Sequence, residues 1–169
     1  MSRLLDDLRE SIANHSAIVI IGTGVSIAAS DNAPAASWTG LLATGVDRCC
    51  EIAGLGRDWR TRVSAEVGSG DLDDLLSAAE KITSKLAGPH GGEYRRWLRE
   101  TIGELRLARR EVIDALADLG LPLATTNYDD LLEQATGQPA VTWQEGARVE
   151  RVVRGDEPGV LQSATTSIR

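Results

Sequence analysis

Two short apolar runs, set about a hundred residues apart, constrain this chain most. The first, Ala17-Ile18-Val19-Ile20-Ile21, passes into Gly22-Thr23-Gly24-Val25-Ser26. The second, Leu121 to Thr125, passes into Thr126-Asn127-Tyr128-Asp129. β-Branched side chains fit a pleated surface, so the runs read as strands. The unbroken hydrophobicity of the first suits a strand buried on both faces of a parallel sheet. Both runs then give way abruptly to small and polar groups. Ligands of open α/β sheets bind outside the carboxyl ends of the strands, so two such ends side by side would make a nucleotide site.

The rest of the pattern is mostly helical. Residues 2–13 read as an amphipathic helix with Ser2 as N-cap and Leu4, Leu5, Leu8 and Ile12 on one face. Residues 27–36 read as a loop. Ser37 can cap a helix that carries Trp38, Leu41, Leu42, Val46, Cys49, Cys50 and Ile52 toward a core and ends at Gly54 and Gly56. Residues 57–68 are a further candidate helix. Asp71 can cap another, with Leu72, Leu75, Leu76, Ala79, Ile82 and Leu86 at helical spacing before Gly88-Pro89. Tyr94, Trp97, Leu98, Ile102 and Leu105 repeat the spacing, and so do Val112, Ile113, Leu116 and Leu119 before Gly120. After the second run comes a helix from Asp129 or Asp130 to near Gly137, then a short strand at Ala140 to Trp143. A weak strand at Val149 to Arg154, a turn, and another strand from Val160 follow. Strands alternating with helices predict an α/β fold with a parallel sheet. The stretch from about residue 37 to 119 is too long for one crossover helix; it reads as a helical insertion forming a small layer over the site.

Composition bounds what such a chain does. With 169 residues, 42% hydrophobic and 25% charged, it is a globular chain with enough length for one core. Four Trp, two Tyr and no Phe leave that core to Leu, Ile, Val and Ala. A net charge of −7 and no long Lys/Arg tract argue against nucleic acid as a ligand. Arg106, Arg109 and Arg110 read as a solvated helix face. The adjacent Cys49 and Cys50 have neither metal-ligand nor disulfide spacing, so they read as small buried residues of a reduced, cytoplasmic protein without a metal. No run approaches the ~20 apolar residues of a membrane span. The acidic start, Met-Ser-Arg-Leu-Leu-Asp-Asp, is unlike a signal peptide.

The chemistry sits at the two strand ends. Glycines at Gly22 and Gly24 allow close approach of backbone to a phosphate. The dinucleotide fingerprint requires a third glycine where this chain has Ile27, and no Walker lysine follows. An ordinary strand-to-loop turn explains this motif alone equally well. Asn127 has both a donor and an acceptor, so it can hold a ribose hydroxyl or a carboxamide, and Asp129 can accept from a carboxamide NH₂. An N-cap role for Asp129 and a turn role for Asn127 explain those residues too.

Together the motifs resemble the sirtuin superfamily, and in particular its bacterial SIR2-like branch, many of whose members hydrolyse NAD in anti-phage defence. Gly22-Thr23-Gly24-Val25-Ser26 is similar to the Gly-Ala-Gly-x-Ser loop of that family, with Thr23 for alanine. Ser37, Trp38, Leu41 and Leu42 match a Pro-Ser-Trp and Leu-Leu pattern, with Ala36 for proline. Thr125 to Asp129 matches Thr-Thr-Asn-Tyr-Asp throughout, and Leu131, Leu132 and Glu133 match its Leu-Leu-Glu tail. The resemblance spans roughly residues 16 to 161. It implies a Rossmann-like, sirtuin-type domain that binds NAD, with an inserted helical layer. Asn127 would orient the nicotinamide ribose and the attacking water, and Asp129 would contact the carboxamide. Gly22, Thr23, Gly24, Ser26 and Thr126 would line the cofactor. The reaction implied is cleavage of the glycosidic bond to nicotinamide through a transition state of oxocarbenium character.

The chain departs from the family where the general base should be. The family carries a His-Gly pair after a strand, and a histidine titrates near neutrality. Here Val160-Leu161 is followed by Gln162-Ser163 and a polar tail. His15 precedes the first strand, and His90 lies in a Gly-Pro-His-Gly-Gly linker. The four-cysteine zinc module of protein deacylases has no counterpart either. Residues 1–161 thus read as a partial SIR2-like domain with an incomplete sheet, and residues 162–169 as a divergent tail. Three outcomes stay open: an NAD glycohydrolase, a module that binds NAD, ADP-ribose or a protein without turnover, and a fragment with no ligand. An incomplete sheet would expose an edge strand, which a second copy or a partner chain could cover.

Overall fold

The computed structural model describes residues 3–88 and 92–163. Ser2 and His90 lie outside them. The chain divides into two compact units, one formed by the residues up to Asp31 and from Arg106 onward, the other by Asn32–Leu105.

The first unit is α/β. Its sheet has four strands: β1 (Val19–Ile21), β2 (Leu123–Thr125), β3 (Ala140–Thr142) and β4 (Val160–Gln162). All neighbours are parallel, in the order β1-β2-β4-β3. The register sets Ile21 beside Thr125 and Thr125 beside Gln162, so three strands end level with one another. Helix α1 (Arg3–Ala13) precedes β1, and α2 (Thr23–Ala29) follows it. Helix α7 (Glu111–Ala117) leads into β2, α8 (Leu131–Thr136) into β3, and α9 (Gly146–Arg154) into β4. Ile21, Ala29, Ile113, Leu123, Leu131, Val141, Val152 and Val160 are all buried, and these aliphatic side chains form the core. Gly137 ends α8 with φ +68°, a left-handed conformation that costs glycine nothing.

The second unit is helical. Helices α3 (Trp38–Ala53), α4 (Arg57–Gly68), α5 (Leu72–Leu86) and α6 (Glu93–Thr101) bury Val46, Cys49, Val63, Ile82 and Trp97. Two of the expected caps are in place. Ser37 accepts from the Gly40 N–H at 3.0 Å, and Asp71 accepts from the N–H groups of Asp73 and Asp74. The Trp97 indole N–H donates to Thr44 Oγ1 at 3.0 Å. Cys49 is buried and its neighbour half-buried, and neither is in a disulfide. Burial pushes the Cys49 thiol up to about 11, so it packs as a neutral apolar group.

Several sequence-based expectations are corrected. The strand β1 is not buried on both faces: it is an edge strand, with Ile20 75% exposed. Helix α1 buries none of its residues, so its leucine face is open. Residues 23–29 are helical, and only part of 27–36 is a loop. The span Val149 to Arg154 belongs to helix α9, not to a strand. Arg148 and Arg151 on that helix both pair with Glu157, a grip that β-branched content does not reveal. Arg106, Arg109 and Arg110 precede α7 in a segment without regular secondary structure, Arg110 being its N-cap, so they are not on a helix face. There Arg109 pairs with Asp31, and Arg110 pairs with Asp114. Helix α7 belongs to the sheet-bearing unit, not to the helical one. Gln162 lies within β4, not in a tail.

These placements rank substitutions. Gly159 enters β4 where an added Cβ would meet Val141 Cγ2 at 2.8 Å and Val152 Cγ2 at 3.0 Å. Gly159→Ala should cost about 1–3 kcal/mol by overpacking. Ile113→Ala should cost about 2–5 kcal/mol. Ile20→Thr should stay within about 0.5 kcal/mol of the parent. Urea unfolding of the three variants tests that order; an Ile20→Thr loss as large as that of Ile113→Ala would contradict the exposed edge.

Candidate functional site

The level ends of β1 and β2 bring the two motifs together. Thr125 Oγ1 donates to the Ile21 carbonyl at 3.2 Å and accepts from the Asn127 N–H at 3.0 Å. The Thr126 N–H donates to the same Ile21 carbonyl at 3.2 Å. The sheet ladder therefore continues past its last paired residues and fixes the turn that carries Asn127.

Across this seam runs a chain of three buried side chains. Asn127 Nδ2 donates to Ser26 Oγ at 2.7 Å, and Ser26 Oγ donates to Asp129 Oδ2 at 2.6 Å. The other carboxylate oxygen, Asp129 Oδ1, accepts from the Leu131 N–H, the first of α8, at 3.2 Å. Asn127 is 6% exposed and Asp129 8%. A serine hydroxyl has one proton, and here it goes to Asp129, so the serine must accept from the amide. Buried polar groups linked in this way are costly to leave half-satisfied, which makes the arrangement specific.

The remaining expected site residues are placed differently. Gly22 and Gly24 flank the start of α2, and an added Cβ at either would meet nothing within 4 Å. No internal contact demands glycine there, and the space outside the backbone is open. Gly22, Thr23, Gly24 and Thr126 are exposed, whereas Ser26 is buried against Asp129. Ser26 thus positions its neighbours and does not itself line the surface.

A second pair of polar residues lies at the end of β4. Gln162 Nε2 donates to Glu133 Oε1 at 2.5 Å, and the Ser163 N–H donates to the Thr125 carbonyl at 3.1 Å. Glu133 is buried in the first turn of α8, and its Oε2 has no hydrogen-bond partner among the described residues. Both carboxyls are pushed above the ordinary range. For Asp129 the cause is burial, opposed by Ser26 and backbone N–H groups. For Glu133 it is burial, opposed by its own backbone N–H and by Gln162 and reinforced by the negative charges of Asp130 and Asp129. The motifs mark Glu133 only as the end of the Leu-Leu-Glu tail, and Gln162 only as the start of a polar tail where the family has its histidine. The signal that would have found the pair is Gln162 itself, a polar residue next after the Val160-Leu161 strand.

His15 lies before β1 and holds the Gly120 carbonyl through Nδ1 at 3.1 Å, just ahead of β2. It is therefore at the opposite ends of the strands from Asn127. Among the described residues no cluster of His, Cys, Asp and Glu is arranged to hold a metal ion, and no helix is long and apolar enough to cross a membrane. The chain matches no family model, no curated protein and no solved structure.

The buried chain has measurable consequences. Ser26→Ala strands the Asp129 carboxylate oxygen and the Asn127 amide, and should cost about 1–3 kcal/mol in urea unfolding. Asp129 binds its proton more tightly folded than unfolded, so it contributes stability on the acid side that is lost as pH rises through its raised value. Asp129→Asn should therefore flatten the fall in stability that begins at the ordinary carboxylate range and ends at the raised ionisation of Asp129. An unaltered pH dependence in the variant would exclude this role.

Proposed function

We propose that this chain is a SIR2-like domain of Rossmann-like type that binds NAD at the carboxyl ends of β1 and β2, and that it cleaves the bond between nicotinamide and ribose. One observation carries the reading: the buried Asn127–Ser26–Asp129 chain, which joins the two motifs across adjacent parallel strands. This arrangement gives the motif resemblance a physical purpose. Asn127 is held from below by Ser26 and through its backbone by Thr125, so its amide is fixed before any ligand arrives. Preorganised dipoles of this kind are where enzymes gain most of their rate.

The residues fit the ligand in two further respects. Open space outside Gly22 and Gly24 allows a phosphate or ribose to approach the backbone closely. The unpartnered oxygen of Glu133 is an acceptor suited to a hydroxyl. NAD supplies the reactive centre, a sugar carbon bonded to a cationic ring nitrogen. The protein's part is to orient that bond and to exclude bulk water.

A second reading, binding without turnover, is favoured by Gln162 standing where the family carries its histidine. In either reading the protein is cytoplasmic and takes no metal. The open edge of β1, with Ile18 and Ile20 exposed beside it, would be covered by a second copy or a partner chain.

NAD titration coupled to a nicotinamide-release assay tests the proposal. Saturable binding with release is the expected result, and Asn127→Ala should slow release by about 100-fold or more. Binding without release by the parent chain would support the second reading. Absence of NAD and ADP-ribose binding would refute both.

A further inference from the structure

Resting on the NAD reading, we propose that Glu133 is the general base of this site, with Gln162 as its positioning residue. Glu133 is a buried carboxylic acid in the first turn of α8, a helix whose first N–H, that of Leu131, donates to the Asp129 carboxylate. It therefore hangs from the same short segment as Asn127 and Asp129. One of its oxygens is tied to Gln162 at the end of β4, and β4 is anchored to the motif by the Ser163 bond to Thr125. The other oxygen, Oε2, is buried and accepts from none of the described residues. A buried acceptor without a donor is costly, and its survival calls for an explanation. A hydroxyl or water brought in with the substrate provides the missing donor.

The environment suits the task. A base must be ionised at working pH and yet hold the proton it takes. Burial and the charges of Asp130 and Asp129 push the Glu133 carboxyl above the ordinary range. The Glu133 backbone N–H and, less strongly, the Gln162 amide oppose that shift, and Oε2 keeps no hydrogen-bond partner among the described residues. In the hydrolysis, a water O–H proton passes to Glu133 Oε2 as the water oxygen bonds to the ribose carbon. The carbon–nitrogen bond breaks, and its electron pair neutralises the pyridinium nitrogen of the departing nicotinamide. The products are nicotinamide, ADP-ribose and one proton, held first on Glu133.

The test compares the parent chain with Glu133→Gln, measuring nicotinamide release and NAD affinity across about pH 5 to 9. Release by the parent should rise with pH along one ionisation. In Glu133→Gln it should fall about 100-fold or more and lose that rise, while NAD affinity changes less than about threefold. Glu133→Gln with an unchanged rate and pH profile would overturn the assignment. So would a parent chain that binds NAD but releases no nicotinamide, which leaves the NAD reading standing. A parent chain that does not bind NAD removes that reading and the base with it. If Glu133→Gln does not fold, carbon-13 carboxyl titration of the parent decides. Saturating NAD should move the ionisation of Glu133, and an unmoved titration would overturn the proposal.

Discussion

Everything in the sheet-bearing unit depends on parallel pairing between two three-residue strands separated by about a hundred positions of sequence. Parallel neighbours cannot be joined by a tight turn, so such a pair always closes a long loop. The entropy of that closure rises only slowly with length, and residues 32–105 fold into a compact unit of their own. Short strands still provide few ladder bonds. The bonds beyond the ladder, from Thr125 and Thr126 to the Ile21 carbonyl, therefore matter to the pairing as well as to the site.

The same economy appears in the side chains. Asp129 accepts from the first N–H of α8 and from Ser26, and thereby steadies Asn127. One carboxyl thus serves a helix terminus, a strand seam and the amide that would meet a ligand. The N-cap of α8 is Asp130 and not Asp129, yet one Asp129 oxygen still accepts from the Leu131 N–H at the start of the helix while the other accepts from the Ser26 hydroxyl.

What the sequence made legible were local signals. Ile18 to Ile21 and Leu121 to Thr125 marked strands, Ser37 and Asp71 marked helix starts, and helical spacing marked α3, α5 and α6. What it concealed was set by distant partners. The exposure of Ile20 follows from strand order, which no window around Ile20 contains. Helix α9 looked like a strand because Val149, Val152 and Val153 are β-branched, whereas Glu157 gathers two of its arginines from beyond the helix end. The motifs named Ser26, Asn127 and Asp129 separately, and only their meeting across the seam shows that Ser26 faces inward. Glu133 and Gln162 stayed apart in the sequence reading because 29 residues separate them.

The direction of the buried chain gives the site a polarity that a residue inventory misses. While Asp129 is ionised, it accepts from the Ser26 hydroxyl, and the serine oxygen in turn accepts from the Asn127 NH₂. Protonate Asp129, and the serine is free to turn its hydrogen toward the Asn127 amide, whose oxygen can then accept it. A single proton on Asp129 thus decides whether Asn127 gives a hydrogen bond to Ser26 or receives one from it. Burial raises the affinity of Asp129 for that proton, so the reversal falls at a higher pH than it would for an exposed carboxyl.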